Sequence, residues 1–133
     1  MEFNNNRKKS ENPSISDINL SKQEIGTNTL VSGFLDPSQI KKTIKVNVRR
    51  LDDYLLDKKI KNISLIKIDV EGYEYFVLKG LKKYFTENKE KLPPIIVKII
   101  PSMYPLSGIK LADLDNYMKL FSYQSILMMK NLK

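Results

Sequence analysis

Asp69, Glu71 and Glu74 fall within six residues of one another in the stretch ISLIKIDVEGYE, residues 63–74. Asp69 ends the most apolar run of the chain, and Gly72 lets the backbone turn sharply after it. In open parallel sheets ligands bind beyond the carboxyl ends of the strands, and these carboxylates occupy that place. A purely structural assignment is also available. Glu71 and Glu74 can complement a helix dipole and Asp69 can cap the helix. That assignment suits Glu74. It suits Asp69 less well, because a charge at the end of a buried strand must find a partner, a ligand or a shifted pKa.

The rest of the composition narrows the chemistry further. The 133-residue chain has no cysteine and no histidine. That excludes a disulfide framework, a thiolate nucleophile, a Ser-His-Asp triad and a zinc site of the usual kind. Catalysis must therefore rest on carboxylates, lysines, hydroxyls, backbone or a bound cofactor. The glycines are Gly26, Gly33, Gly72, Gly80 and Gly108, with no pair at the G-x-G spacing of a nucleotide-cradling turn.

Net charge is +8, from 23 basic and 15 acidic side chains. Only Arg7, Arg49 and Arg50 are arginine, so the excess is lysine, which lacks the planar fork that reads phosphate and guanine. The pairs Lys41–Lys42, Lys58–Lys59 and Lys82–Lys83 are spread among Asp52, Asp53, Asp57 and Glu87. This pattern reads as a solvated surface and speaks against a nucleic-acid partner. No run of about eighteen apolar residues is present, and MEFNNNRKKS lacks the apolar stretch of a signal peptide. A cytoplasmic protein without a membrane partner is the expectation.

These acids must be held by an alternation of strands and helices. Residues 1–11 lack apolar periodicity and are expected to form a disordered tail, with one α/β domain over residues 12–133. Short strands are expected around Ile15–Leu20 and Thr29–Phe34. The alternation of Ile44, Val46 and Val48 predicts a strand over Thr43–Val48 with one buried face. Leu51, Tyr54 and Leu55 predict a short helix. The β-branched run Ile63–Val70 predicts a strand buried on both faces of a parallel sheet. Tyr73, Phe76, Val77, Gly80, Leu81, Tyr84 and Phe85 keep helical spacing over three turns. A second central strand over Ile95–Ile100, a helix from Leu111 to Phe121 and a last strand over Ser125–Met129 complete the order. The alternation is that of an α/β layer with a mostly parallel sheet and helices on both faces.

Read as a string, RLDDYL from Arg50, LIKIDVEGYE from Leu65, VLKG from Val77 and PIIV from Pro94 resemble the FkbM-type family of S-adenosylmethionine-dependent methyltransferases. The resemblance covers residues 43–101 well and the remainder loosely. It implies a partial Rossmann-like class I methyltransferase sheet and methyl transfer to a hydroxyl of a sugar or secondary metabolite. It also implies that Asp69 lies beside donor and acceptor, where it orients or deprotonates the hydroxyl, and that Glu71 shapes the same pocket. Ser16–Asp17 resembles the family segment whose acidic side chain approaches the adenine, which makes Asp17 a cofactor-binding candidate along with Asp69. Lys98 departs from the family, which usually has an acidic residue after this apolar run.

The family's donor-binding units, with their glycine-rich loop and ribose-binding acid, would precede residue 12. The chain is thus expected to be a C-terminal methyltransferase part with little activity alone, because catalysis needs both substrates positioned. The alternative is a non-catalytic interaction module whose exposed sheet edge pairs with a partner chain or a second copy.

Overall fold

Two small sheets, rather than one continuous sheet, organise the described residues. The computed structural model describes residues 14–22 and 28–126. Strands β1 (Ser14–Ser21) and β2 (Ile40–Val48) pair antiparallel, with Ile18 opposite Ile44 and a register shift between Leu20 and Ser21. Strands β3 (Ile66–Ile68) and β4 (Ile95–Val97) pair parallel, with Ile66 opposite Ile95 and Ile68 opposite Val97. Helices α1 (Leu51–Asp57), α2 (Glu74–Lys79), α3 (Lys82–Glu87) and α4 (Leu111–Lys119) complete the regular elements.

The class is α/β, but the sheet is not the mostly parallel one expected. Ile44, Val46 and Val48 do alternate between half-buried and exposed neighbours, as their spacing predicts. Yet β2 pairs with β1 and not with β3. The expected strand over Ile63–Val70 shortens to three residues, and only one of its faces is covered: Ile66 and Ile68 are buried while Lys67 and its partner Ile96 are exposed. A charged residue in the middle of the apolar run takes the water side and leaves the other face to the core. Among the described residues, helices on both faces of this pair are therefore not found.

The core gathers on the covered face. Leu55 of α1, Leu78 of α2, Leu81, Tyr84 and Phe85 at α3, and Leu114 of α4 pack with Ile66, Ile68 and Tyr104. Phe85 is the hub of an aromatic group, with ring centroids 5.1 Å from Phe121 and 5.7 Å from Tyr123.

Three other expectations change in detail. The helix foreseen through Phe85 breaks at Gly80–Leu81, because the Gly80 carbonyl accepts from the Asp52 backbone N–H at 2.9 Å and leaves the helical ladder. Thr29–Phe34 forms only a two-hydrogen-bond bridge, Asn19 with Thr29, before turning at Gly33 with φ +79°. Ser125 and Ile126 have no regular structure, and the remainder of the foreseen last strand lies outside the described residues, as does the foreseen tail over residues 1–11. No helix among the described residues is long and apolar enough to cross a membrane.

Candidate active site at the end of the parallel pair

Parallel strands deliver their carboxyl ends to the same side, and here both ends carry charge. The Lys98 backbone N–H donates to the Ile68 carbonyl at 3.0 Å, extending the register one step past β4. The next residue of each strand is then Asp69 and Lys98. The Lys98 ammonium lies 3.3 Å from Asp69 Oδ1 and 2.6 Å from Glu71 Oε1. Asp69 thus finds the partner that its position demands, and a single cation gathers both acids. Hydrogen bonds to Glu71 first and Asp69 second raise the Lys98 pKa above its ordinary value.

The two acids differ in exposure. The Asp69 side chain is 41% exposed and that of Glu71 10%. Asp69 can meet an incoming molecule; Glu71 is mostly enclosed and serves to hold the ammonium.

The turn bearing Glu71 is fixed by three neighbours. Glu71 itself sits at φ +48° and Gly72 at φ +93°, a left-handed pair rare for a residue with a side chain. A Cβ on Gly72 would come within 2.8 Å of the Met103 Cβ. The Glu71 carbonyl accepts from the buried hydroxyl of Thr29 at 2.8 Å. The Gly72 N–H donates to Glu74 Oε1 at 2.9 Å. Glu74 is fully buried, and its Oε2 accepts from the Tyr104 hydroxyl at 3.1 Å. Its role is the structural one that its place in the first helical turn suggests, and no cation is needed to satisfy it.

Asp17 is not brought to this cluster. It lies on the exposed face of β1, opposite Lys45 and 3.4 Å from its ammonium. It borders a groove of about 430 Å³ lined by Ser16, Asn19, Leu30, Ser32, Thr43 and Tyr73 as well. Tyr73 joins that groove to the acidic turn, since it follows Gly72 directly.

Two contributors escaped the sequence reading. Lys98 stood out there only as a departure from a pattern, although opposite charges one step beyond two apolar parallel runs are a legible signal of pairing. Thr29 carried no such signal, because its contact with Glu71 spans 42 positions.

Among the described residues the strand–turn–helix β3–Gly72–α2 carries a glycine, but its Gly72 N–H is committed to Glu74 and the space beside Gly72 is filled by Met103, so this turn does not serve as the glycine-rich donor loop.

Comparison with known proteins bears on the whole chain. No curated protein and no solved structure matches it. A family model, the Methyltransferase FkbM domain, matches residues 4–125 and so takes in both sheets, the acidic turn and the groove. The chain belongs to the FkbM methyltransferase family.

Proposed function

We propose that this chain supplies the acceptor side of an S-adenosylmethionine-dependent methyltransferase that acts on a hydroxyl of a sugar or secondary metabolite. The family's usual donor supplies the methyl group. Asp69 is the group that orients the acceptor hydroxyl and accepts its proton. Lys98 keeps the Asp69 carboxylate directed, and Glu71 anchors Lys98 from the enclosed side. The observation that supports this reading is the gathering of two acids on one ammonium at the carboxyl end of the parallel pair, where ligands of open α/β sheets bind.

Two measurements test it. Isothermal titration of the purified chain with S-adenosylmethionine should give no micromolar binding; such binding would overturn the reading that the donor site is incomplete. Transfer of labelled methyl groups to hydroxylated acceptors should be slow, and Asp69→Asn should reduce it by about a hundredfold with the circular dichroism spectrum unchanged. Wild-type transfer by that variant would remove Asp69 from the chemistry.

A second reading has one observation in its favour. Among the described residues the parallel pair has only two strands, and Leu65, Ile96 and Ile99 around it are exposed apolar residues. A non-catalytic module that completes this sheet with a partner or a second copy accounts for them. Size-exclusion chromatography decides the second-copy form of it: a monomer at high concentration argues against self-pairing.

A further inference from the structure

We propose that Thr29 is a positioning residue for the acidic site: with Glu74 on the opposite side, its hydroxyl clamps the Glu71–Gly72 peptide in the orientation in which the Glu71 carboxylate holds Lys98. The consequence for chemistry rests on the acceptor reading above, but the coupling itself is measured without methyl transfer.

The Glu71 carbonyl and the Gly72 N–H belong to one planar trans peptide group, so its oxygen and its hydrogen point in opposite directions. The oxygen accepts from Thr29 Oγ1 at 2.8 Å, and the N–H donates to Glu74 Oε1 at 2.9 Å. Thr29 is 1% exposed and Glu74 is 0%, so each clamp is made inside the protein. The orientation of such a plane depends on the ψ before it and the φ after it, and turning both together flips the plane with little change in the chain path. Gly72, here at φ +93°, tolerates φ of either sign. The buried partners therefore decide which way the plane faces. Glu71 itself stands at φ +48°, which a residue with a side chain keeps only where its surroundings hold it.

Thr29 is fixed in its turn. Its Oγ1 accepts from the Val31 N–H at 3.0 Å while it donates to Glu71, so the hydroxyl is engaged in both of its roles. Its backbone N–H and carbonyl pair with Asn19 of β1 at 3.1 and 2.9 Å. A chain of contacts thus runs from β1 through Thr29 to the Glu71 peptide, from the Glu71 carboxylate to the Lys98 ammonium at 2.6 Å, and on to Asp69 at 3.3 Å. Asp69, 41% exposed, is the open end of that chain, and its direction is only as fixed as the ammonium that meets it. Two substitutions separate the hydroxyl from the shape of the side chain. Valine keeps the branched outline and loses both hydrogen bonds, whereas serine keeps both and loses a methyl group.

Exchange of the Lys98 ammonium protons with water, read by NMR on the nitrogen-labelled full chain without donor or acceptor, tests the coupling. Thr29→Val should speed it about fivefold, the factor that one lost hydrogen bond corresponds to, and Thr29→Ser should keep it within about twofold of wild type. Val31→Ala loosens the same buried segment without touching the hydroxyl and should leave the Lys98 signal in place. Equal effects of Thr29→Val and Val31→Ala would reduce Thr29 to packing and overturn the proposal. In a Glu71→Gln background Thr29→Val should add nothing, because the hydroxyl acts through Glu71; an undiminished effect overturns it too. Should Thr29→Val fail to fold, Lys98→Met reads the coupling from the other end. Linkage is reciprocal, so exchange of the Val31 amide, bonded to Thr29 Oγ1, should rise in that variant, and an unchanged rate overturns the clamp. In the transfer assay Thr29→Val should lower kcat about fivefold with KM little changed, and Thr29→Ser should restore it. Wild-type transfer by Asp69→Asn would discard the catalytic reading and leave the clamp standing, whereas a Lys98 signal unmoved by Thr29→Val discards the clamp whatever the transfer assay shows.

Discussion

The Asp52 carboxylate accepts hydrogen bonds from the backbone N–H groups of Tyr84, at 2.9 Å to Oδ1, and of Lys83, at 3.0 Å to Oδ2. In return the Asp52 N–H donates to the Gly80 carbonyl at 2.9 Å. A residue in the first turn of α1 therefore caps the start of α3 and explains the break that separates α3 from α2. Two of the sequence blocks that carry the family resemblance, LDD and VLKG, meet in this clasp, so their residues there are structural. Gly80 belongs to the same contact: a Cβ there would lie 3.1 Å from the Val77 carbonyl and 3.4 Å from the Leu51 nitrogen.

Asp52→Ala should destabilise the chain by about 2–3 kcal/mol, because it leaves two N–H groups at a buried helix start without acceptors. Asp52→Asn keeps one acceptor oxygen and should lose about half as much. Urea denaturation followed by circular dichroism measures both, and equal midpoints for wild type and Asp52→Ala would show that water satisfies the freed groups.

Gly72→Ala should cost about 2 kcal/mol or more, for two separable reasons. Its φ of +93° is poor for any L side chain, and its new methyl would meet Met103 at 2.8 Å. Adding Met103→Ala removes the contacts with Met103 Sδ and Cε, both at 3.0 Å, while the Cβ contact and the backbone strain remain. Thermal denaturation of the single and double variants checks this: the Gly72→Ala penalty should be smaller in the Met103→Ala background, apart from the separate cost of the cavity.

The acidic turn was legible in sequence because its signals are local. An apolar run that stops at Asp69, a glycine that permits a left-handed turn and a helix whose first turn is acidic all fall within a dozen positions. The alternation in β2 was legible for the same reason. Sheet membership was not, since the pattern of Ile44, Val46 and Val48 says which face is buried but not which strand pairs. The break at Gly80 was hidden because helical periodicity runs through it unchanged, and the competing partner, the Asp52 N–H, is remote in sequence. Lys67 carried the clue that β3 has one wet face, which its β-branched neighbours outweighed.

Replacing Lys98 isolates what one ammonium does for two acids. Lys98→Met removes the hydrogen bond to the largely enclosed Glu71 and leaves two carboxylates facing each other without a cation. The Lys98 side chain is 55% exposed, so solvent screens much of the loss, and the urea midpoint should fall only slightly. Lys98→Glu restores the acidic type usual in the family and should cost more, since like charges then meet at the end of the parallel pair. A double-mutant cycle with Glu71→Gln should return a favourable coupling between the two side chains, and additivity would dissolve the pair.

Alkaline pH should weaken the fold through several groups acting in the same direction. Burial, followed by the neighbouring Tyr84, pushes the Tyr123 phenol up to about 12 from 10.0, while its hydroxyl donates to the Pro93 carbonyl at 2.7 Å. Burial also raises Tyr104, with Glu74 adding to it, and raises Tyr117, with Asp52 contributing. Lys98 is raised by its hydrogen bonds to Glu71 and Asp69. A group whose folded pKa exceeds its unfolded one binds its proton more tightly when folded. Its contribution is complete below the unfolded pKa and disappears as pH climbs through the folded one. For Tyr123 that window runs from about 10 to about 12. Urea midpoints should therefore hold level up to about pH 9 and then fall. Tyr123→Phe should start less stable, lacking the bond to Pro93, and should decline less steeply over the same range. A parallel decline in both proteins would show that Tyr123 ionises as freely in the folded chain as in the unfolded one.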